Sequence, residues 1–217
     1  MRRQGERLLV LGSMFITAFI IWTFLIQNVD VQPIGANGTS VGFATVNGWF
    51  HNLTGVHMKM YHITDWLGLV PVAVCMFFAG LGFSQLIKRK SLFKVDYDMI
   101  ILGIYYVIVI LSYLIFEMIP INYRPILIDG FLEASYLSST TLLVLGVMPT
   151  LSEQLNRRHK KVFVNVFTIC FSTFMVLGRL ISGVHWLTDI IGSILLSTGI
   201  FCIYKAVILL WKKKKTQ

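Results

Sequence analysis

Long apolar runs separated by short polar segments dominate the pattern of this chain. Six of these runs are long enough to cross a hydrocarbon layer of roughly 30 Å as helices, because each helical residue adds about 1.5 Å. The runs occupy residues 8–26, 65–87, 97–118, 138–155, 162–181 and 186–211. The pattern predicts an all-α integral membrane protein with six transmembrane helices, folded as a single domain over residues 1–217.

The positions of Lys and Arg predict which side of the membrane each loop faces. They concentrate in four clusters, at residues 2–7, 88–94, 157–161 and 212–215. Because loops on the cytoplasmic side carry an excess of Lys and Arg, the clusters place the N-terminus and the C-terminus in the cytoplasm. Residues 27–64 then form a long outer loop, in which Lys59 is the only Lys or Arg.

Two local features of this outer region carry structural expectations. Residues 46–61 mix aromatic, apolar and His side chains, which favours a short helix lying at the membrane interface. Asp65 begins the second apolar run, where we expect it to cap the helix that follows.

Composition supports a membrane protein and narrows the partners. Hydrophobic residues make up 56% of the chain and charged residues 13%, with a formal net charge of +9. Because the positive charge lies mainly in the four clusters, it indicates topology and anionic headgroups in preference to nucleic acid. We expect the lipid bilayer as a partner, no nucleic acid, and a plasma membrane location if the protein is bacterial.

Residues 178–189 place three ionisable side chains in an otherwise apolar region. Arg179 precedes His185 by six residues, and Asp189 follows His185 by four, one helical turn later. A carboxylate beside an imidazole can fix its tautomer, and a guanidinium can bind an anion through two hydrogen bonds. The pattern predicts either a nucleophile with an orienting group and a phosphate clamp, or a buried ion-pair cluster that only ties helices together.

The predicted topology brings further polar residues to the same membrane level, at the outer ends of the third to sixth helices. They are Glu117, Arg124, Glu133 and the hydroxyl run at residues 138–141. Polar groups at this depth are costly unless they pair or have a function. Their convergence favours a functional site on the extracytoplasmic side.

The spacing of these residues resembles the motifs of the type 2 phosphatidic acid phosphatase superfamily. Arg124 and the Pro after it correspond to the end of the motif Lys-x6-Arg-Pro. Arg179, His185 and Asp189 match the motif Ser-Arg-x5-His-x3-Asp, with Gly178 in place of Ser. The six-helix arrangement is similar as well, so the resemblance implies a lipid-phosphatase-like helical bundle.

The resemblance also implies roles for individual residues. His185 would attack phosphorus to form a phosphohistidine, and Asp189 would orient it. Arg124 and Arg179 would hold the phosphoryl oxygens, together with Ser138, the residue that matches the Ser of the family motif Pro-Ser-Gly-His. No metal or other cofactor is implied, and the partner would be a phosphorylated membrane lipid.

Two of the three motifs depart from the family pattern. Glu117, seven residues before Arg124, stands where the first motif has Lys, which reverses a charge. Residues 137–140 align with the second motif so that Thr140 replaces its His, the general acid of the family. A hydroxyl does not readily supply a proton near neutral pH, and positioned acid catalysis is typically worth about a hundredfold to ten-thousandfold.

The missing acid predicts a substrate preference. An alkoxide leaving from a phosphate monoester needs the proton, whereas a lipid monophosphate leaving from a diphosphate needs it much less. An active protein would therefore be a phosphatase or phosphotransferase that prefers a lipid diphosphate, such as an isoprenoid diphosphate, to a phospholipid monoester. Alternatively, Glu117 or Glu133, kept protonated by burial, replaces the acid.

Two other classes of protein stay open. With two motifs altered, the bundle could bind a lipid headgroup or assist another membrane protein without catalysis. A small transporter is the weaker alternative, because no apolar run contains a Gly/Pro-broken repeat in matched halves of the chain.

Overall fold

The computed structural model describes residues 2–158 and 162–214, with the side chains of residues 156–158 and 212–214 left out. The basic clusters at 157–161 and 212–215 therefore lie largely outside the described side chains. Within the described ranges the chain forms eight α-helices and no β-strand. The helices are α1 Arg2–Asn28, α2 Ala44–Thr54, α3 Met58–Leu67, α4 Leu69–Arg89, α5 Tyr97–Met118, α6 Ser139–Arg158, α7 Val162–Ile181 and α8 Leu187–Lys214.

Five segments of the described chain are long and apolar enough to cross a membrane. They are Arg2–Asn28, Met58–Arg89, Tyr97–Met118, Val162–Ile181 and Leu187–Trp211. Many of their large apolar side chains are exposed, as expected where a helix faces lipid. The all-α membrane fold predicted from the sequence is confirmed at this level, while the count of six crossings and the cytoplasmic termini stay predictions.

Helix α6, which covers the fourth predicted span, is not among these five segments because it is more polar than the others. Its side chains are buried by protein, since it contacts α4, α5, α7 and α8. Six of its residues are fully buried, namely Thr141, Val144, Val147, Met148, Thr150 and Gln154. A helix enclosed by other helices does not need an apolar surface, so its polar groups bond inside the bundle. Tyr106 and Thr150 share a hydrogen bond of 2.7 Å, for example.

The segment between α1 and α4 is more helical than the sequence predicts. The prediction of a single interfacial helix at 46–61 is wrong, because residues 55–57 are not helical and separate α2 from α3. Gly55 has a left-handed φ of 68°, and the N–H of His57 donates to the carbonyl oxygen of Ser182 at 2.9 Å. The start of α3 is therefore tied to the loop between α7 and α8.

The cap expected at Asp65 is also wrong. Asp65 lies in the last turn of α3, and the second span begins earlier than predicted, since α3 and α4 run together from Met58 with a junction at Gly68. The Asp65 carboxylate bonds to a side chain of α7 instead of to the N-terminus of a helix.

Candidate active site

Four residues singled out in the sequence lie together at one end of the bundle. Arg179 occupies the last turn of α7, His185 the loop before α8, and Asp189 the first turn of α8. Arg124 comes from the segment between α5 and α6. All four are buried, with between 0% and 9% of their surface exposed. Because buried ionisable groups are costly unless they pair or function, their shared position calls for a partner or a ligand.

A hairpin-like loop between α5 and α6 brings Arg124 into this cluster. Its two sides pair through an antiparallel bridge between Tyr123 and Ala134. The N–H of Arg124 donates to the carbonyl of Glu133 at 3.1 Å, and the N–H of Ser135 donates to the carbonyl of Asn122 at 2.9 Å. This pairing fixes Arg124 on one side of the loop and Ser135 on the other.

The imidazole of His185 is held in one tautomer. Its Nδ1 lies 3.0 Å from the carbonyl oxygen of Ser135, and because a carbonyl only accepts, Nδ1 carries the proton. Nε2 then keeps its lone pair, and it is buried with no hydrogen-bond partner in the part of the chain that the structure describes. Such an atom is free to act as a nucleophile.

Burial keeps this imidazole neutral. Removal from water, followed by the positive charges of Arg124 and Arg179, holds the pKa of His185 well below its ordinary value. His185 is therefore in its unprotonated, nucleophilic form across the neutral pH range.

Asp189 is connected to His185 mainly through another residue. Its Oδ2 atom accepts from the hydroxyl of Ser135 at 2.5 Å and from the N–H of Trp186 at 2.9 Å, and it lies 4.0 Å from Nδ1 of His185. The hydroxyl oxygen of Ser135 lies 3.2 Å from the same Nδ1. Ser135 thus links carboxylate and imidazole, a role that sequence reasoning missed because Ser135 was one hydroxyl among several in residues 135–141.

Of the three guanidinium nitrogens of Arg179, one is hydrogen-bonded and two are not, among the described residues. Its Nη2 donates to the Asp65 carboxylate at 2.8 Å and to the Thr140 hydroxyl oxygen at 2.5 Å. Nε and Nη1 are buried without a hydrogen-bond partner among the described residues. Thr140, at the position of the family's general acid, therefore contacts the guanidinium directly.

Arg124 is arranged in a similar way. Its Nη2 pairs with the Glu133 carboxylate at 3.1 Å, and Nε donates to the carbonyl of Ala134 at 3.4 Å. Nη1 is buried and finds no partner within residues 2–158 and 162–214. The two guanidiniums together leave three buried nitrogen donors unsatisfied, which is the arrangement expected where an oxyanion binds.

Tyr61 of α3 covers both guanidiniums. The centroid of its ring lies 4.8 Å from Cζ of Arg179 and 5.8 Å from Cζ of Arg124, within the range of a cation–π contact. No pattern in the sequence points to this contact, because Tyr61 belongs to no recognisable motif and reaches the two guanidiniums only through the fold of α3.

The other predicted site residues are placed differently. The hydroxyl of Ser138 donates to Thr141 at 3.0 Å, and its described contacts include neither guanidinium nor His185. Glu117 is exposed at the end of α5, and 38% of the Glu133 side chain is exposed in its ion pair with Arg124. Neither glutamate has the burial that the replacement-acid hypothesis requires.

A cavity of about 280 Å³ adjoins Arg179 through Asp65 and Thr140. Apolar side chains of α4, α5 and α6 line the rest of it, among them Leu69, Val109 and Leu142. A larger cleft of about 740 Å³ lies between α6, α7 and α8, and none of the candidate site residues lines it. The smaller cavity combines an apolar wall with Asp65 and Thr140, the two residues that bond to the Arg179 guanidinium, which suits a lipid phosphate.

The described residues bring together a buried histidine, whose Nε2 finds no hydrogen-bond partner among them, and two guanidiniums, on a bundle of membrane-spanning helices. The sequence profile of the PAP2 superfamily matches residues 72–214, which is more than half of the chain. The chain therefore belongs to the PAP2 superfamily, and it is an integral membrane protein. The family predicted from the motifs is confirmed.

Among solved structures, the chain is similar to the crystal structure of the first transmembrane PAP2-type phosphatidylglycerolphosphate phosphatase from Bacillus subtilis. The TM-score is 0.62 at 15% sequence identity, and the alignment covers 90% of this chain and 94% of that chain. At this identity the likeness concerns the fold, and it confirms the helical membrane bundle. No curated protein matches the chain.

Proposed function

We propose that this protein is a lipid phosphatase or phosphotransferase that uses His185 as its nucleophile at the extracytoplasmic face of the membrane. The observation that carries the proposal is the free, buried Nε2 atom of neutral His185, in one cluster with the unsatisfied nitrogens of Arg124 and Arg179. Membership in the PAP2 superfamily, whose members are phosphatases, supports the same reaction.

In this mechanism Nε2 of His185 forms a bond to phosphorus while the bond from phosphorus to the leaving oxygen breaks. The guanidiniums hold the non-bridging oxygens, whose charge they compensate as the transition state develops. The proton stays on Nδ1, which donates it in a hydrogen bond to the Ser135 carbonyl, and the Ser135 hydroxyl connects this group to Asp189. Water then attacks phosphorus, phosphate leaves, and Nε2 regains its lone pair. If a second lipid replaces water, the result is phosphoryl transfer.

The leaving group decides the preferred substrate. Thr140 stands where the family has its acid, and its hydroxyl oxygen already accepts a hydrogen bond from Arg179. A lipid monophosphate, expelled when the terminal phosphorus of a lipid diphosphate is attacked, leaves without an added proton. We therefore infer an isoprenoid diphosphate or a similar lipid diphosphate as the favoured substrate, ahead of phospholipid monoesters. The start of its chain would lie in the cavity lined by Leu69, Val109 and Leu142.

The alternative function is headgroup binding without turnover. The specific observation in its favour is that carboxylates already compensate both positive charges of the cluster. Arg179 is paired with Asp65, and Arg124 is paired with Glu133. Two neutralised guanidiniums stabilise a transition-state dianion less than two free ones do.

The deciding experiment is phosphate release by detergent-purified protein. The panel contains phosphatidic acid, phosphatidylglycerophosphate, a lysolipid phosphate and an isoprenoid diphosphate. We expect release from the diphosphate first, abolished in His185→Ala and kept in His62→Ala, which changes an exposed histidine of α3. Release that survives His185→Ala would refute the nucleophile, and headgroup binding without release from any lipid would establish the alternative.

A further inference from the structure

Helix α3 brings a carboxylate to the guanidinium that is proposed to hold phosphate. Asp65 lies 2.8 Å from Nη2 of Arg179, and 57% of its side chain is exposed, whereas the Arg179 side chain is 3% exposed. A buried guanidinium is costly when unpaired, whereas the carboxylate is the partner that the protein encloses less tightly. The two partners of this ion pair therefore differ sharply in how easily they separate.

The position of α3 depends on Gly178, one of the departures from the family motif. A Cβ atom added at residue 178 would lie 2.6 Å from Cγ2 of Thr64 and 3.3 Å from Sδ of Met60. Thr64 is fully buried and its hydroxyl donates to carbonyls of its own helix, so its methyl group is the part that approaches α7. The Ser of the family motif would not fit against α3 in this position.

Helix α3 also lies outside the region that the family profile matches, which begins at residue 72. Tyr61 and Asp65 thus lie outside the matched region and belong to none of the three motifs. The N–H of His57, just before α3, holds the helix to the carbonyl of Ser182, three residues from His185. This hydrogen bond therefore ties α3, which carries Asp65, to the loop that carries His185.

We propose that Asp65 is a displaceable placeholder for the substrate's phosphate and sets the anion affinity of the site. Without ligand, its carboxylate satisfies Nη2 of Arg179. When a phosphoryl group binds, one of its oxygens takes this position, Asp65 turns away from Arg179, and Nε and Nη1 of Arg179 gain the partners that they lack among the described residues. No bond is made or broken in this exchange. The inference rests on the proposed function in one respect, namely that the ligand carries a phosphoryl group.

A consequence is that the site selects against weakly charged anions. The ligand competes with a carboxylate that is already in place, so an anion with one negative charge gains little from the exchange. Ligands with more charge, such as a phosphate dianion or a diphosphate, gain more. Removing the Asp65 charge should relax this selection and tighten binding.

The test measures binding of inorganic phosphate to the detergent-purified full chain by titration calorimetry. Asp65→Asn should bind phosphate about tenfold more tightly than the unmodified protein, the order expected when one like charge beside a bound dianion is removed. Asp65→Glu, which keeps the charge, should stay near the original affinity. Asp129→Asn is the matched control, because it removes a carboxylate from the tip of the α5–α6 hairpin, and its affinity should not change.

Unchanged or weaker phosphate binding by Asp65→Asn would overturn the proposal. If this variant folds only when phosphate is present, that dependence is the behaviour of a site that has lost its placeholder and supports the proposal. A variant that stays unfolded in phosphate as well would assign Asp65 a purely structural role and contradict it.

This outcome is separable from that of the proposed function. Tighter phosphate binding by Asp65→Asn with no lipid hydrolysis would keep the placeholder and refute the enzyme. Hydrolysis that depends on His185, with equal phosphate affinity in Asp65→Asn, would keep the enzyme and refute the placeholder. Absence of phosphate binding by every variant would refute both the placeholder and the phosphate clamp.

Discussion

The Nδ1 atom of His185 donates its proton to the backbone carbonyl of Ser135 at 3.0 Å, while the hydroxyl of the same serine donates to Asp189 at 2.5 Å. A single residue therefore fixes the imidazole tautomer with its main chain and holds the carboxylate with its side chain. The histidine and the aspartate of the third motif are therefore connected here mainly through Ser135, at the base of the α5–α6 hairpin.

We expect Ser135→Ala to lower kcat for lipid hydrolysis by about tenfold to a hundredfold, the usual range for a group that orients a reacting residue. The carbonyl remains, so the tautomer is kept, but Asp189 loses its shortest hydrogen bond. Loss of one of the two hydrogen bonds to the buried Oδ2 atom should also lower the free energy of unfolding by about 1–3 kcal/mol. Steady-state kinetics and thermal unfolding measure the two effects.

The control for this variant is Ser197→Ala, which removes a buried hydroxyl of α8 bonded to the carbonyl of Ser193 in its own helix. Both variants lose a hydroxyl of equal size, and only the first should lose activity. Equal kcat values for Ser135→Ala and the unmodified protein would show that Asp189 does not act through this serine.

The lowered pKa of His185 predicts how stability depends on pH. Below about pH 6.5 the unfolded chain binds a proton on this residue that the folded protein does not, so stability falls as the pH falls. This contribution is at most about 1.4 kcal/mol per pH unit, and it vanishes above the unfolded pKa. Unfolding midpoints recorded between pH 5 and 8 for the unmodified protein and His185→Gln measure it.

His185→Gln should lose part of the stability decline below pH 6.5, whereas His62→Gln, at an exposed position, should keep the full decline. Activity follows the same logic, because the nucleophile stays neutral until the pH falls below its lowered pKa. A kcat/KM that drops with an apparent pKa near 6.5 would contradict a buried, neutral imidazole.

Sequence patterns carry the fold of this protein well, because long apolar runs have few alternatives to membrane-spanning helices. The four residues Arg124, Arg179, His185 and Asp189 could be proposed together because topology places the ends of their helices at one level. The periodicity of the sequence does not predict that Tyr61 and Asp65 contact Arg179. Their contacts depend on how closely α3 approaches α7. Gly178 permits this approach because it has no Cβ atom, and the spacing of residues in the sequence does not predict it.

The same limit explains the missed role of Ser135. Its side chain and carbonyl act on residues 50 and 54 positions later in the chain, through the pairing of a hairpin that has no helical period. The expectation that Ser138 binds phosphate came from motif alignment alone. In the structure its hydroxyl is hydrogen-bonded to Thr141, one turn further along α6.

Restoring the family's acid tests the leaving-group argument. Thr140→His would place an imidazole next to Arg179, beside the cavity of about 280 Å³ that Thr140 lines. We expect the ratio of phosphatidic acid to isoprenoid diphosphate turnover to rise by about tenfold or more, because only the alkoxide leaving group needs the proton. Phosphate release from both lipids measures the ratio.

Thr140→Asn controls for size and polarity, since an amide does not donate a proton to a leaving group in this range of pH. Its turnover ratio should stay close to that of the unmodified protein. A ratio that is the same in Thr140→His and Thr140→Asn would mean that the missing acid does not determine the substrate preference.

The close approach of α3 and α7 is testable by restoring the Ser of the family motif. Gly178→Ser should lower the free energy of unfolding by about 1–3 kcal/mol, the cost of overpacking a tight contact, because its Cβ meets Cγ2 of Thr64 at 2.6 Å. Thr64→Ser removes that methyl group and keeps the hydroxyl bonded to its own helix. The double variant should therefore recover part of the loss, with a coupling of about 0.5–3 kcal/mol in a double-mutant cycle. Independent, additive effects of the two changes would show that Gly178 is not what allows α3 to bring Asp65 to Arg179.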